Sequence, residues 1–512
     1  MSEFLQFNSI PSGNHKGKKH IVIVGAGIIG VCIAYFIIKH PKFDPAKIHI
    51  TIVESKRVAG GASGKAGGLL ALWAFPQQIV PLSFELHQQL SDLYNGEEEW
   101  GYRRLTTVSL EGDISHLPDI NELSSDDDDD DDDTINYEKY HDAQEETDSG
   151  SYRKSTTTDT DSSTEKPPKK TSRATRLQTA KNSKDMNGSK LPYDLNWINS
   201  TLIDLCLSLG GTDSTAQVHP YKFTSFILKK AVEMSQGSLE LILGKVNQIN
   251  YSMETGVATG VTYEPTSLKQ QESKPLVELS GDQIILSVGP WTSKILPDCP
   301  ISGLRAHSIT VAPFKDQPVS PYAIFTEFKT GPMSYVSPEI YARQDEVYVC
   351  GEGDSTVDVP ETSDDVEVVK SNCDDLFNQV GKISPNLRKG HILKKQACYL
   401  PVLDVPSSSG PLIGETNVDN LYLCSGHSCW GINNAPATGK IMSELLLDGK
   451  AKLADISALD PSLYFDASIL LSDEEDDEDD DEDDEDEDNE EDEEDEVGDE
   501  DVTIKMNSSL CI

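Results

Sequence analysis

Three observations in the amino-acid sequence predict an α/β fold that contains a Rossmann-type nucleotide-binding domain. The β-branched run 21–24 precedes the helix-like segment 31–40, and the turn between them has the glycine spacing G-x-G-x-x-G. A second strand-like segment, KIHITIVE, ends at Glu54, a carboxylate at the distance that this turn requires. Segments such as VELSGDQIILSVG and DEVYVCGEG alternate with helix-like stretches, so a second domain on a mixed sheet is interleaved with the first.

The residues of the glycine turn have separate physical roles. Gly25 permits a tight bend, Gly27 lets the backbone approach a pyrophosphate, and Gly30 lets the helix pack closely on the strand. The N-terminus of the helix that follows this turn presents backbone N–H groups and the positive end of its dipole to phosphates. The turn therefore predicts a dinucleotide site.

The acid after the second strand supports the same site. Glu54 is placed to accept hydrogen bonds from the ribose hydroxyls of an adenosine, and its charge would repel a 2′-phosphate, which disfavours NADP. The alternative, a glycine-tolerant strand and helix without a ligand, leaves this carboxylate unexplained.

One apolar segment also fits a different interpretation. Residues 21–38 form an 18-residue run with Lys on both sides, which is long enough to pass for a membrane-spanning helix. The three glycines favour a strand, turn and helix instead. The sequence therefore predicts no transmembrane segment.

The charge of the chain is strongly negative but unevenly distributed. The 512 residues include 43 Lys and Arg against 88 Asp and Glu, for a net charge of −45. Most of the excess lies in two blocks, eight consecutive Asp at 126–133 and 26 acidic residues between 473 and 501. This balance excludes nucleic-acid binding by bulk charge. It favours solvated tails, with a basic protein as a candidate partner for the acidic tail.

Composition changes predict the domain boundaries. We expect a folded core over 20–112 and 191–471, because only these segments carry sustained apolar periodicity. The polar remainder predicts three disordered segments, namely an arm (1–19), an insertion (113–190) and an acidic tail (472–512).

Cysteine usage and the chain ends predict a cytoplasmic protein. Nine cysteines are thinly spread without a C-x-x-C pair, which indicates reduced thiols. The first residues lack the features of a signal peptide, and Cys511 is not placed for prenylation. Cys424, His427 and Cys429 lack a fourth ligand at a usual spacing, so we expect no metal.

Four later motifs carry a resemblance to a known family. The first is the loop GASGKAGG at 61–68, which Gly60 precedes, and the second is the helix start HPYKF at 219–223. The third is the strand end IILSVGPW, and the fourth is the segment GHSCWGINNAPATGK that begins at Gly426. In this order they resemble the FAD-dependent oxidoreductases of the D-amino-acid oxidase superfamily, which include glycine and sarcosine oxidases. The last motif is most similar to a fungal branch of undefined substrate, which implies a cytoplasmic protein peripheral to late endosomes.

The resemblance implies a cofactor and the residues that bind it. FAD would be held non-covalently by segments at about 20–80, 215–295 and 395–450. The implied cofactor-binding residues are Gly25, Gly27, Ile28, Ile29, Gly30, Glu54, Ser55, Gly61, Ala62, Ser63, Gly67, Gly68, Val246, Gly289, Trp291, Gly426, Gly431 and Ile432. A helix beginning near Gly431 would stabilise the negative charge of reduced flavin, and its alternative role is a plain helix cap. Covalent attachment through Cys398, as in some sarcosine oxidases, is the other alternative for the flavin.

The catalytic residues are not identified by the sequence. The candidates are His427, Arg305, His307 and Tyr399. Where glycine oxidases read L-R-P, with an arginine that clamps a substrate carboxylate, this chain reads Tyr399-Leu400-Pro401. Arg343 is a further candidate cation. We expect Tyr399, Leu400, Trp430 and Trp73 to face an amine or another apolar reductant rather than a simple amino acid.

These patterns predict an FAD-dependent oxidoreductase that transfers a hydride from a C–N or C–O bond of a small substrate to FAD. The alternative function is a scaffold or regulator in endosomal trafficking that has the same fold and little or no catalysis. The intact flavin motifs favour the enzyme, while the missing clamp and the charged appendages favour the scaffold.

Overall fold

The computed structural model describes residues 5–118, 191–266, 275–314, 319–406 and 410–468. The predicted acidic tail lies outside the described residues, and so does the predicted insertion except for 113–118. Any protein partner of the acidic tail is therefore outside the described residues as well.

The described strands and helices are numbered here in chain order. The strands are β1 (Lys19–Val24), β2 (Ile48–Glu54), β3 (Leu69–Ala71), β4 (Arg103–Arg104), β5 (Thr106–Asp113), β6 (Ile203–Gly210), β7 (Thr215–Gln217), β8 (Leu239–Ser252), β9 (Val257–Pro265), β10 (Val277–Ser280), β11 (Gln283–Leu286), β12 (Ile301–Ala312), β13 (Tyr322–Lys329), β14 (Tyr335–Val336), β15 (Glu339–Ala342), β16 (Val347–Asp354), β17 (His391–Leu403), β18 (Leu412–Glu415) and β19 (Leu421–Ser425). The α-helices are α1 (Ile28–Lys39), α2 (Ala62–Lys65), α3 (Val80–Tyr94), α4 (Gly96–Trp100), α5 (Pro220–Met234), α6 (Thr292–Ile295), α7 (Lys370–Ile383), α8 (Pro385–Arg388) and α9 (Gly431–Asp448).

The Rossmann-type domain is built on the first sheet. Its strand order is β10-β9-β8-β2-β1-β11-β19-β18, and the five strands from β8 to β19 are parallel. Strand β1 is central, which explains why residues 21–24 are an unbroken β-branched run with both faces buried. This sheet confirms the predicted α/β fold.

Helix α1 is apolar on nearly all sides because it is buried on nearly all sides. It packs against α9 and α5, and ten of its twelve residues are buried. The apolar run 21–38 is therefore divided between a strand and a helix. Across the described ranges, every helix is too short or too polar to cross a bilayer.

The second sheet is mixed and builds the other domain. Its order is β17-β12-β16-β15-β13-β5-β6, with β13 and β5 parallel and the other neighbours antiparallel. Helix α7 covers it through Cys373, Leu376, Val380 and Ile383, which follow the i, i+3, i+4 spacing of one helix face. A small third sheet has the strand order β3-β7-β4.

The N-terminal segment differs from the predicted disordered arm. Asn8 forms a parallel bridge to Ile242 of β8, with its N–H 2.9 Å from the Leu241 carbonyl oxygen. The Asn8 side chain also donates to Glu240 at 2.6 Å, and the Ser12 N–H donates to the same carboxylate at 2.8 Å. The reason is that β9 pairs with β8 only from Gly244 onward, so the first half of β8 has one open edge. The polar N-terminal segment forms hydrogen bonds to this open strand edge through its backbone. Such pairing requires no apolar side chains, so the sequence shows no apolar pattern there.

Candidate active site

A cavity of about 410 Å³ lies along the carboxyl ends of β1, β2, β11 and β19. Ligands of parallel α/β sheets bind at this edge because the strands end there and the following helices begin. Predicted cofactor-binding residues that line the cavity are Gly25, Gly27, Ile28, Ile29, Glu54, Ser55, Gly61, Ala62, Ser63, Val246, Gly289, Trp291, Gly431 and Ile432. The structure thus brings residues from distant parts of the chain to one cavity.

The fingerprint turn has a geometry that its glycines make possible. Gly25 has φ +101°, and a Cβ there would lie 2.7 Å from the backbone oxygen of Ser287. A Cβ on Gly30 would lie 2.2 Å from the Gly25 oxygen. Gly30 is therefore not part of the lining but lets α1 pack against β1, as the spacing predicts.

The N-terminus of α1 meets the second glycine-rich loop. Gly27 precedes this helix and has no side chain that could cap it. Instead, the hydroxyl of Ser63 accepts a hydrogen bond from the Ile28 N–H at 2.9 Å. Both residues line the cavity. Uncapped N–H groups and the positive end of the helix dipole make this wall suited to a phosphate.

Glu54 is buried at the carboxyl end of β2, with 9% of its surface exposed. One carboxylate oxygen accepts the Ala26 N–H at 2.8 Å, and the other accepts the Lys56 N–H at 3.0 Å. Burial raises the pKa of this carboxyl, while the backbone hydrogen bonds oppose that shift. The carboxylate is therefore fixed by the backbone at the β8 side of the cavity.

The opposite side of the cavity is formed by the turn from β19 into α9. Gly431 and Ile432 line the cavity at the start of this 18-residue helix, which has no side-chain cap. His427 also lines it and is 3% exposed, with Nε2 3.1 Å from the Thr438 hydroxyl. Burial lowers the pKa of His427 to about 3. The imidazole is therefore neutral near pH 7.

Three predicted glycines shape the loops and are not among the lining residues. A Cβ on Gly67 would lie 2.1 Å from the Tyr341 ring, and a Cβ on Gly68, which has φ +91°, would lie 2.0 Å from the Val218 oxygen. Gly426 has φ +81° at the turn after β19. All three positions exclude a side chain for reasons of close packing or backbone conformation.

Three of the four catalytic candidates lie away from the cavity lining. The guanidinium of Arg305 is occupied by two carboxylates, those of Asp354 at the end of β16 and of Glu367 before α7. His307 Nε2 accepts the Val369 N–H at 3.0 Å. The Tyr399 hydroxyl is 3.1 Å from the carbonyl oxygens of Val357 and Asp358 and donates to this pair. Of the four candidates, His427 alone lines the cavity.

Arg343, the further candidate cation, is bound to the backbone of the glycine-rich loop. Its Nε donates to the Gly67 oxygen at 3.2 Å, a second nitrogen donates to the Ala66 oxygen, and Nη1 contacts Glu346 at 2.6 Å. The side chain is 5% exposed. Arg343 therefore fastens the end of the loop GASGKAGG and is not available to clamp a carboxylate.

The cavity is apolar at the position of the missing clamp. Leu400 and Pro401 of β17 line the cavity, whereas Trp73 and Trp430 form an adjoining aromatic cluster with ring centroids 5.4 Å apart. Cys398 is buried and outside the lining, and burial raises the pKa of its thiol to about 11. A thiol that stays protonated is a poor nucleophile for attachment to a flavin.

Sequence reasoning missed several lining residues, among them Ser287, Lys245, Lys294 and Glu361. Ser287 donates to the Val24 oxygen at 2.8 Å, and Lys245, Lys294 and Glu361 form a charged group at the cavity edge. Ser287 lies within the motif IILSVGPW but was not singled out, whereas Lys245, Lys294 and Glu361 lie in none of the recognised motifs. Among the residues that the structure describes, no cluster of three or more His, Cys, Asp or Glu could hold a metal ion.

Comparison with models of protein families shows the family to which this chain belongs. A family model described as "DAO: FAD dependent oxidoreductase" matches residues 20–148 and 172–445. The chain belongs to this family of FAD-dependent oxidoreductases. FAD is therefore its cofactor, typically held non-covalently in the DAO family. The residues present fit this group, because the glycine turn leaves room for a pyrophosphate beside the α1 N-terminus and Glu54 presents a fixed carboxylate.

Two fungal members of the DAO family are similar over most of their length. The Saccharomyces cerevisiae protein TDA3 is 50% identical over 519 residues, which cover 91% of this chain and 98% of TDA3. The Schizosaccharomyces pombe protein C1F5.03c is 31% identical over 454 residues, which cover 87% of this chain and 98% of that protein. Both are named as candidate oxidoreductases. The predicted resemblance to a fungal branch is confirmed.

Solved structures of DAO-type enzymes share the fold. The L-proline dehydrogenase from P. horikoshii is 16% identical with a TM-score of 0.56, covering 87% of this chain and 97% of that one. The glycine oxidase from Bacillus cereus is 16% identical with a TM-score of 0.56, covering 85% and 96%.

Proposed function

We propose that this DAO-family protein is an active oxidoreductase that removes a hydride from a C–N or C–O bond of a small, amine-like substrate. The carbon loses a hydride, and the adjoining N–H or O–H loses a proton to solvent, so that an imine or carbonyl product forms. Bound FAD supplies the two-electron acceptor, and oxygen or another oxidant regenerates it. The observation that carries the proposal is a cavity that has a dinucleotide cradle at one end and an apolar wall at the other.

The residues of the cavity divide into two groups in this proposal. The glycine turn, Ile28 and Ser63 bind the pyrophosphate, and Glu54 binds the adenosine ribose. Gly431 and Ile432 place the N-terminus of α9 where negative charge develops on reduction, which stabilises the reduced state. His427 stays neutral because burial lowers its pKa to about 3, so we assign it a positioning role and no proton transfer.

The apolar wall limits the substrate. Leu400 lines the cavity where an arginine would hold a carboxylate, and Arg305 and Arg343 are bound elsewhere. In the described lining, the cations are Lys245 and Lys294, and both are paired with Glu361. A free α-carboxylate would therefore be desolvated without a partner, which costs several kcal/mol. We infer that the substrate has no carboxylate beside the reacting carbon. This distinguishes it from the amino acids named for the L-proline dehydrogenase and the glycine oxidase.

The cysteines support a cytoplasmic location for this activity. The eight cysteines within the described ranges are in the reduced thiol form, and seven of them are buried. Such thiols are typical of a reducing compartment.

The test is an anaerobic titration of the purified yellow protein, followed by visible absorption. We expect the flavin bands to bleach with a hydrophobic primary or secondary amine and to stay unchanged with glycine or D-alanine. Bleaching by those amino acids at ordinary rates would contradict the substrate class. A protein that binds FAD but is reduced by no amine, amino acid or alcohol would favour the scaffold function instead.

A further inference from the structure

A segment of the mixed-sheet domain lies over the FAD cavity. This segment, residues 354–367, connects β16 to α7 and is called the strap here. Two of its residues, Glu361 and Ser363, line the cavity together with the cofactor motifs of the other domain. The strap therefore belongs to one domain by sequence and contacts the binding site of the other.

The two ends of the strap are held by one arginine. Arg305 contacts both oxygens of Asp354 at 3.1 Å through Nε and Nη2, and its Nη1 contacts Glu367 at 3.0 Å. Arg305 is 5% exposed and the Asp354 side chain 28%, so their pair is partly shielded from water, whereas the Glu367 side chain is 68% exposed. A bidentate guanidinium–carboxylate pair is strong and directional. It fixes the base of the strap.

The tip of the strap is held differently. Glu361 contacts Lys294 Nζ at 2.7 Å and pairs with Lys245 Nζ through its other oxygen. Lys245 belongs to β8 and Lys294 to α6, and both line the cavity. Next to this pair, Trp291 Nε1 donates to the Pro360 oxygen at 2.7 Å.

The charged contacts at the tip are exposed. The Glu361 side chain is 62% exposed, and the two lysines are 33% and 36% exposed. Exposed ion pairs contribute little individually and are weakened by salt. The tip can therefore open while the base at Arg305 stays closed.

We propose that the strap closes over the adenosine half of bound FAD and that Glu361 is its latch. FAD enters along the edge formed by β8 and α6, which is the edge that Glu361 spans with Lys245 and Lys294. The latch slows the release of FAD without touching the reacting end of the cavity, where Leu400 and His427 lie. Glu361, Lys245 and Lys294 are thus positioning residues for the cofactor.

The experiment measures the rate of FAD release from the full-length holoprotein, followed by the rise in flavin fluorescence after dilution. In the wild type we expect release to accelerate with added NaCl. Glu361→Gln should release FAD about three- to tenfold faster at low salt, because two weak ion pairs are lost. Its release should depend less on salt than that of the wild type, since the exposed Arg57–Asp364 pair of the strap remains. Glu361→Lys should release FAD faster still, because it repels both lysines.

The matched control is Asp374→Asn, which removes the surface pair of Asp374 with Lys395. We expect this variant to keep the wild-type release rate and salt dependence. Thermal unfolding of each apoprotein verifies that the variants fold. Unchanged FAD release in both Glu361→Gln and Glu361→Lys would overturn the latch. Because FAD release needs no substrate, this result is independent of whether the protein turns over an amine.

Discussion

The Ser63 hydroxyl accepts a hydrogen bond from the backbone N–H of Ile28 at 2.9 Å. The two residues are 35 positions apart, one in the glycine-rich loop before β3 and the other at the start of α1. This bond brings two glycine-rich motifs to one wall of the cavity. It also leaves the serine hydroxyl proton free to point at a phosphate.

Replacement of Ser63 by alanine should weaken FAD binding. The variant leaves the Ile28 N–H without its side-chain acceptor and removes a donor from the phosphate wall, so we expect the Kd for FAD to rise about five- to tenfold. Quenching of flavin fluorescence on titration of the apoprotein measures this Kd. Ser115→Ala, which removes an exposed hydroxyl bonded to Asp113, is the control and should bind FAD normally.

Glu54→Gln should destabilise the fingerprint turn even without FAD. The glutamine oxygen can accept only one of the two backbone N–H groups, and its NH₂ would face the other donor. The cost is about 1–3 kcal/mol in the free energy of unfolding, together with a reduced FAD content. Denaturant unfolding of the apoprotein and the ratio of flavin to protein absorbance measure the two effects. A variant as stable as the exposed Glu278→Gln control would show that these hydrogen bonds contribute nothing.

Leu400→Arg should give the cavity an affinity for carboxylates. The wild-type flavin spectrum should not change with benzoate, because no unpaired cation lines the described cavity. The arginine variant should show a saturable spectral shift, since a guanidinium pairs with a carboxylate in a bidentate manner. Leu400→Met, which keeps the apolar wall, should behave like the wild type. A benzoate-induced shift in the wild type would refute the substrate class inferred above.

His427 should make the protein less stable in acid. Its pKa is lowered by burial to about 3 in the folded protein, against about 6.5 in the unfolded chain. Between these values the unfolded chain binds more protons, so the stability contributed by neutral His427 is present above about pH 6.5 and is lost as the pH falls. When the pH falls from 7 to 5, the free energy of unfolding of His427→Gln should therefore decrease by about 1–2 kcal/mol less than that of the wild type.

Unfolding by denaturant at the two pH values measures the His427 effect, and exposed His391→Gln is the control. An identical pH dependence in His427→Gln and the wild type would contradict a buried neutral imidazole. Because we assign His427 a positioning role, we also expect that its ionisation does not affect the rate of flavin reduction between pH 5 and pH 8.

Gly30→Ala should prevent close packing of α1 on β1. The new methyl group would lie 2.2 Å from the Gly25 oxygen and 2.6 Å from the Ser287 hydroxyl, so the helix must move. We expect a loss of about 1–3 kcal/mol in stability and a marked loss of bound FAD. Gly237→Ala, at a surface turn with open space around it, separates backbone strain from this steric effect.

Sequence reasoning reached the nucleotide half of the site and missed most of the rest. The turn at Gly25, the acid at Glu54 and the helix at Gly431 were all predicted, and the structure places them on one cavity. Arg305 was predicted as a catalytic candidate, yet it closes the base of the strap. The segment around Asn8 was predicted to be disordered, yet it pairs with β8.

The difference has a physical reason. A strand, a glycine turn and a helix are specified by backbone conformations within about 30 consecutive residues, so the sequence by itself determined the Rossmann-type fold. Together with the later motifs it also determined the family. The contacts of Glu361 with Lys245 and Lys294 join residues 116 and 67 positions apart. Such contacts depend on sheet register and on the path of the strap, and no local pattern encodes either. Only the tertiary structure decided which charges meet at the edge of the cavity and which arginines were already occupied.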